Sequence, residues 1–480
     1  MNRIKSHTSI EARRGVATLV IAAAVGLMSI TAGERANAAQ TAEKPNIVFI
    51  LADDLGWADL GCQGSTFYRT PNLDRLAKRG MRFTSAYAAS SVCSPTRASI
   101  MTGKYPARLD LTLWLEGTSG TKRKLLDAPH AKHLPLEDTT IAEALKESGY
   151  TTAAVGKWHL GPEPYYPEKH GFDLNVAGTR FGWPVGGYFL PNRMNLPGAR
   201  KGEYLTDRLT DEGLKFIERH KDEPFFLYQS YHSVHTPIQG KPELVERYRK
   251  LIKDDCPQNN ATYAAMVHSL DENVGRIIDK LDELKIAGRT VVFFFSDNGG
   301  FLGATSNVPL RKGKGYSYEG GHREPLIVSC PGRVPAGSVC DVPVVSTDFY
   351  PTMLEMAGLA AKPKQHVDGV SFAQLLLGRG EKLDREDIYW HYPHYSPQGG
   401  TPSGAIRSGN YKLIEFFEDG RVELYDLEKD LSEKNDLSPK MPERTRQLHE
   451  KLKAWRKEVD AKMPPVNPGY KAKGQGAGEK

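Results

Sequence analysis

The chain has 480 residues, more than a single hydrophobic core usually supports, which predicts a large domain followed by a smaller one. An apolar share of 39% and a charged share of 25% fit a soluble globular protein and exclude a disordered one. The net charge is +6, of which the first 38 residues carry half, and the remaining +3 gives no ground for nucleic-acid binding.

Those first residues stand apart. Arg3, Lys5, Arg13 and Arg14 form a basic leader, Val16 to Ala32 is mostly apolar, and Ala36-Asn37-Ala38 has the small-x-small pattern of a signal-peptidase site. The apolar run is short for a membrane span. We expect residues 1–38 to be a cleaved signal peptide and the protein to be exported, periplasmic or secreted, with an uncleaved anchor as the alternative. Adjacent Arg13-Arg14 also permits a twin-arginine route. No other stretch reads as a membrane span. Five cysteines are present, Cys62, Cys93, Cys256, Cys330 and Cys340, and an odd number leaves at least one without an intramolecular partner. Cys330 and Cys340 flank a Pro/Gly loop and could bridge it; buried free thiols are the equal alternative.

In chain order, Ile47 to Ala52 is a continuous apolar run of the kind buried in a parallel sheet. It ends in Asp53-Asp54, two carboxylates whose mutual repulsion a hard cation would relieve; a solvated loop with a helix cap is the other reading. Thr70 to Phe83 reads as a capped helix. Cys93-Ser94-Pro95-Thr96-Arg97 follows, with Gly103 offering a left-handed stop. Ser94 suits a cap and Pro95 a first turn, which puts Cys93 just ahead of a short helix, facing unpaired N–H groups, with Arg97 one turn further on. Such a spot stabilises negative charge. A small buried cysteine before an ordinary helix fits the same residues equally well, and the rest of the chain must decide.

Residues 108–136 read as an elaborated polar loop with Trp114 and the basic run Lys122-Arg123-Lys124, and Thr139 to Ser148 as an amphipathic helix. The strand Tyr150 to Val155 ends in Gly156-Lys157-Trp158-His159-Leu160-Gly161, where pleat alternation points Lys157 and His159 to one side. A cation and an acid/base group together suit an oxyanion whose leaving group needs a proton. Gly, Pro and aromatic residues fill 162–204 and read as substrate-side loops. Leu205 to His220 is helical, and the strand Pro224 to Tyr231 runs into His232-Ser233-Val234-His235. His268 lies on the inner face of a long helix, Ala261 to Leu284, and reads as structural. The strand Val291 to Phe295 ends in Ser296-Asp297-Asn298, repeating the oxygen-rich tip of the first strand. Two such tips predict a shared site for Ca²⁺, with Mg²⁺ second, and no Cys/His zinc spacing is present. Lys312 and Lys314, set among glycines, can approach an anion, or form a solvated basic loop.

Strands alternate with helices over 45–360, which predicts an α/β fold with a large, mostly parallel sheet covered on both faces. After about residue 365 the pattern changes to short strands with hairpin turns and a closing helix, Pro442 to Val459, predicting a small antiparallel sheet packed with one helix. We place a catalytic domain over 39–365, a C-terminal subdomain over 366–462 and a mobile tail over 463–480.

Cys93-x-Pro95-Thr96-Arg97 with Thr102-Gly103 resembles the signature of type I sulfatases, and Asp53-Asp54, Gly-Lys-Trp-His-Leu-Gly, His235, Asp297-Asn298-Gly299 and the Gly-Lys-Gly loop follow in the same order. The resemblance covers most of the chain beyond the leader and implies an alkaline-phosphatase-like fold and a sulfuric ester hydrolase acting on an aryl or carbohydrate sulfate. It implies that a maturation enzyme oxidises Cys93 to Cα-formylglycine, whose hydrate attacks sulfur. It also implies that Asp53, Asp54, Asp297, Asn298 and residue 93 hold Ca²⁺, that Arg97 orients residue 93, and that Lys157 and Lys314 bind sulfate. His235 would protonate the leaving oxygen and His159 assist breakdown of the intermediate. Position 96 is Thr where Ser is common, and Lys312 leaves the choice of sulfate-binding lysine open. A phosphomonoester or phosphonate hydrolase of the same superfamily, and a non-catalytic binder of sulfated glycans, are the alternatives.

Overall fold

Nine strands build the centre of the molecule: β1 (Asn46–Ala52), β2 (Met81–Tyr87), β3 (Thr151–Gly156), β4 (Leu174–Val176), β5 (Phe225–Ser230), β6 (Thr290–Ser296), β7 (Arg323–Ser329), β8 (Ser338–Cys340) and β9 (Val344–Val345). The computed structural model describes residues 44–470 except 119 and 192, so the leader with its Ala36-Asn37-Ala38 site and residues 471–480 lie outside the described residues. The strands form one sheet in the order β4-β3-β5-β1-β6-β7-β2-β8, with β9 also pairing β2. Only β7 runs against its neighbours, so the sheet is mostly parallel.

Strand β1 shows why both faces are covered. Val48, Ile50 and Ala52 enter one apolar cluster with the helices Leu205–Arg219 and Ala261–Glu283. Ile47, Phe49 and Leu51 point the other way, against the helices Cys93–Thr102, Ile141–Glu147 and Phe349–Met356. A strand with two buried faces must be apolar throughout. No helix among the described residues is long and apolar enough to cross a membrane.

A second sheet of four consecutive antiparallel strands, β10 (Asp387–Tyr392), β11 (Ser403–Ser408), β12 (Tyr411–Phe416) and β13 (Val422–Asp426), packs against the helix Pro442–Glu458. Trp455 of that helix stacks on Tyr389 at 4.8 Å. Both sheets lie in one compact unit from Pro45 onward. A buried polar knot joins them: the Glu319 carboxylate accepts hydrogen bonds from Lys412 of β12 (2.9 Å), Arg323 of β7 (2.6 Å) and Tyr87 of β2 (2.8 Å).

Several sequence expectations need adjusting. The helix expected through Phe83 ends at Arg79, and Met81 opens strand β2. Gly80 makes the break, because a Cβ there would sit 2.2 Å from the Val328 carbonyl oxygen of β7. Cys330 and Cys340 form no bridge, and all five cysteines are free thiols. The tail is docked over its described part: Leu126 N donates to Pro465 O, and Asn467 Nδ2 donates to the Thr121 and Arg123 carbonyls.

Candidate active site

Register brings the chemistry to one edge of the sheet. Leu51 of β1 pairs with Ser230 of β5 and Phe295 of β6, and Gly156 of β3 pairs with Ser230, so four parallel strands end level. The residues just beyond those ends are Lys157, the His232–His235 turn, Asp53-Asp54 and Asp297-Asn298. The crevice at the carboxyl ends of parallel strands is where α/β folds bind ligands.

The Cys93–Thr102 helix arrives from one face. Its first residue is Cys93, with Val92 as cap; Ser94 is inside the helix and its Oγ accepts from Leu115 N at 3.1 Å. The helix therefore begins two residues earlier than the sequence suggests. Gly103 stops it with φ +69°, as expected. Arg97 is fully buried and fixed on three sides. It donates from Nε to Asp297 Oδ2 (2.8 Å) and from Nη1 to Ser230 Oγ (2.6 Å) and the Lys157 carbonyl (3.1 Å). Cys93 Sγ lies 3.3 Å from His159 Nδ1. Burial pushes the Cys93 thiol up despite Lys157 and Lys314 nearby. The thiol is thus a poor nucleophile at neutral pH, since the thiolate is the reactive form.

Lys157 Nζ donates to Asp53 Oδ2 (2.7 Å), and Lys314 Nζ to Asp54 Oδ2 (2.8 Å). His235 Nε2 lies 3.7 Å from Asp54 Oδ2. Lys157 and His159 do converge, but not by pleat alternation: β3 stops at Gly156, and His159 reaches the site from a left-handed backbone, φ +57°. Lys312 is exposed, with its ammonium over the Tyr316 ring, so Lys314 is the lysine of that loop at the site.

The donor set fits a hard cation. Asp53, Asp54 and His235 present ligand atoms within 4.8 Å of one another. Asp53 Oδ1 and Asn298 Oδ1 are buried acceptors with no hydrogen-bond donor, and such orphans are costly unless something positive meets them. Burial, with Asp297 and Asp54 adding to it against Lys157 and Arg97, pushes the Asp53 carboxyl up to about 8. For Asp54 burial acts upward too, but Lys314, His235 and Lys157 outweigh it and hold the group at about 2. Asn298 Nδ2 donates to Asp54 Oδ1 at 2.7 Å, which leaves the Asn298 oxygen turned away from that bond. The Asp297 oxygens are engaged by Arg97 and the Asp54 N–H.

Above residue 93 lies a cavity of about 150 Å³ walled by His159, His235, Lys314, Trp114, Trp183 and Gln398, among others. A wider cleft of about 810 Å³ between Asp341 and Arg444 contains none of the site residues. Of the expected substrate-side loops over 162–204, Gly182 and Trp183 reach the cavity. Trp390 is buried and donates from Nε1 to the Ala88 carbonyl. Ser230 and Gln398 carried no sequence signal, since only the folded register brings them here. His268 is structural as expected, bonded to the Tyr248 hydroxyl at 3.1 Å.

Residues 45–359 match the sulfatase family, and 313–458 match the C-terminal region of N-sulphoglucosamine sulphohydrolase. The chain belongs to the sulfatase family. A sulfatase of Formosa agariphila is 34% identical, the match covering 86% of this chain and 89% of the relative. The N-acetylgalactosamine-6-sulfatase of Canis lupus familiaris is 35% identical over 82% of this chain and 76% of its own. Among solved structures, Ps i-CgsB in complex with k-i-k-neocarrahexaose superposes with a TM-score of 0.74 at 31% identity, covering 89% of this chain and 95% of that one. The phosphonate monoester hydrolase of Agrobacterium radiobacter shares the fold at 20% identity and a TM-score of 0.62, covering 87% of this chain and 96% of its own. This sulfatase is therefore a hydrolase of sulfate esters with the alkaline-phosphatase fold.

Proposed function

We propose that the enzyme removes sulfate from carbohydrate esters, using a formylglycine made from Cys93 by a maturation enzyme and one Ca²⁺ ion, with Mg²⁺ the less suited cation. The observation that carries this reading is the convergence on residue 93, at a helix start, of buried Asp53, Asp54, Asp297, Asn298, Lys157, Lys314 and His159 with the partly exposed His235. Those four oxygen-bearing side chains, with residue 93, would hold the ion, and an all-oxygen set suits a hard cation. When bound, the ion supplies positive charge that neutralises sulfate oxygens and acidifies a hydroxyl. Hydrated formylglycine supplies one hydroxyl to attack sulfur and a second whose deprotonation expels sulfate and restores the aldehyde.

The chain's own groups do the rest. Arg97, locked to Asp297, orients residue 93 from one turn along the helix. Lys314 in the cavity wall and Lys157 behind it offer ammonium groups to the sulfate oxygens. His159 Nδ1, at 3.3 Å from the residue 93 side chain, is placed to take a proton from it. His235 delivers a proton to the departing alcohol oxygen. Burial and Lys314 push His235 down to about 3, and an anionic ester bound beside it raises it again.

The carbohydrate class is supported by relatives: one is an N-acetylgalactosamine-6-sulfatase and another was crystallised with a neocarrahexaose. Export is supported by the basic leader, apolar run and Ala36-Asn37-Ala38 site. The test has two stages. The tryptic peptide spanning residue 93 should be lighter than the cysteine form by about 18 Da, the change from thiol to aldehyde. Modified protein with Ca²⁺ should then release sulfate from sulfated oligosaccharides and stop when chelated. No turnover across aryl and glycan sulfates would sink the reading. Faster cleavage of matched phosphates would move the enzyme to phosphoester chemistry. Equal ligand binding by the native protein and Cys93→Ala, without turnover, would make it a binding protein.

A further inference from the structure

We infer that Arg311 is a positioning residue for Lys314, and that the small C-terminal sheet, gripping Arg311, sets where that ammonium stands. The sulfate-binding role of Lys314 is the one proposed above; Arg311 and the sheet behind it are the parts that aim it.

The two lysines of the site stand on different supports. Lys157 follows directly on β3, in the central sheet. Lys314 lies within an irregular segment, 311–318, that runs into the short helix Glu319–His322. Loops are the mobile parts of a fold, and a site residue on one needs support from outside it. The central domain holds the backbone at the lysine itself: Lys314 N donates to the Gly300 carbonyl at 3.2 Å and Gly315 N to the Ser91 carbonyl at 2.8 Å. The polar side chains that follow bond instead to the C-terminal unit. Tyr316 Oη donates to the Gln398 carbonyl (2.7 Å), Ser317 Oγ bonds to Ser403 Oγ of β11 (2.7 Å), and Tyr318 Oη donates to Glu423 Oε2 of β13 (2.8 Å). Glu319 completes the series by accepting from Lys412 of β12. The backbones touch too, since a Cβ on Gly400 would lie 1.7 Å from the Gly315 carbonyl oxygen.

Before Lys314 the corresponding anchor is Arg311. Its Nη1 donates to Tyr425 Oη of β13 (2.9 Å) and to the Glu433 carbonyl (2.6 Å), and its guanidinium lies 3.9 Å from the centre of the Tyr318 ring. Tyr318 and Tyr425 both donate to Glu423 Oε2 at 2.8 Å, so one carboxylate of the small sheet fixes both tyrosines around the arginine. A guanidinium suits this place because it bonds two acceptors in set directions and stacks on a ring at once. The link from Arg311 to Lys314 is short and has little slack. Lys312 takes the left-handed conformation, φ +63°, and a Cβ on Gly313 would lie 2.3 Å from the Gly300 carbonyl oxygen. A shift at Arg311 therefore reaches Lys314 instead of being absorbed on the way. The sulfate group is common to ester, transition state and product, so an ammonium moved away from it loosens all three alike.

The test measures kcat and KM for the fastest ester among the aryl and glycan sulfates, and Ki for inorganic sulfate, on formylglycine-bearing enzyme with Ca²⁺. Arg311→Met should raise KM and Ki about tenfold and keep kcat within about threefold. Placed on Lys314→Met, the same change should add less than about twofold, because a residue that acts through Lys314 has nothing left to aim. Placed on Lys157→Met, it should again cost about tenfold. Tyr318→Phe removes one hydroxyl and keeps the ring; it should raise KM about threefold with the same dependence on Lys314. That variant decides the matter if Arg311→Met does not accumulate as folded, modified protein. KM and Ki within about twofold of the unaltered enzyme, a fall in kcat with KM unchanged, or the full cost persisting on Lys314→Met overturns the inference. If the unaltered enzyme turns over no ester, the sulfatase chemistry itself falls, and the aiming role with it.

Discussion

On the proposed mechanism, His235 decides which leaving groups the enzyme can release. A sugar alkoxide leaves only with a proton, whereas a nitrophenolate leaves without one. His235→Gln should lower kcat on a sugar sulfate by about 10²–10⁴ and on nitrophenyl sulfate by far less. Equal losses on both would remove the proton-donor role. Lys157 has a structural duty besides its proposed part in binding, since it donates a hydrogen bond to the fully buried Asp53. Lys157→Met should cost about 1–3 kcal/mol in denaturant titrations of chelated protein, because the buried Asp53 loses its hydrogen-bond donor, and less with saturating Ca²⁺. Much of this was legible from residue type: paired acids at the end of an apolar strand, repeated at Asp297-Asn298, have few other uses. The pleat argument for Lys157 and His159 gave the wrong reason for their convergence, because a left-handed turn aims His159 and no periodicity signals such a turn. Ser230 and Gln398 were illegible, since an ordinary serine and glutamine become site residues only through contacts across the fold.

Between elements, close approach sets the tolerance of the site. Gly182 has no Cβ, and one placed there would lie 2.4 Å from His159 Cε1. Gly182→Ala should therefore displace the imidazole and lower kcat by up to about 10²-fold, with little change in melting temperature. The C-terminal sheet and its helix are joined at Glu415 of β12, whose carboxylate meets Arg456 Nη1 at 2.6 Å and His449 Nε2 at 3.0 Å. Burial acts to raise Glu415, but His449 and Arg456 overcome it and lower it from 4.5 to about 2. Its folded value lies below its unfolded one, so its stabilisation is complete above about pH 4.5 and is lost as pH falls toward 2. Glu415→Gln should cost about 2–3 kcal/mol at pH 7 and flatten that acid limb in pH-dependent unfolding. Buried parallel strands and long amphipathic helices were plain from the sequence because their periods are strong. Strand β2 was not, because Leu73, Leu76, Ala77 and Met81 continue a helical spacing through Gly80, and only contact with β7 explains the break.

For the whole molecule, the proposed ion would make metal binding and folding one equilibrium. A cation that binds only the folded chain stabilises it by about 2.7 kcal/mol at a hundred times its Kd. Ca²⁺ should therefore raise the melting temperature in a concentration-dependent way, Mg²⁺ should do so less, and chelator should reverse it. No shift with either ion would mean that Asp53, Asp54, Asp297 and Asn298 are neutralised by Lys157 and Lys314 alone.

The place of β1 between β5 and β6 has a consequence for the newborn chain. Asn46 meets Phe225 and Thr290, partners 179 and 244 residues further along. At about 5–20 residues per second, roughly 10–50 s separate synthesis of β1 from that of β6. Throughout that interval one edge of the most apolar strand is unpaired, and the two acid-bearing strand tips have not met. Contacts of such long range slow folding. They also leave Cys93, 3% exposed in the finished enzyme, open to a modifying enzyme for tens of seconds as it emerges.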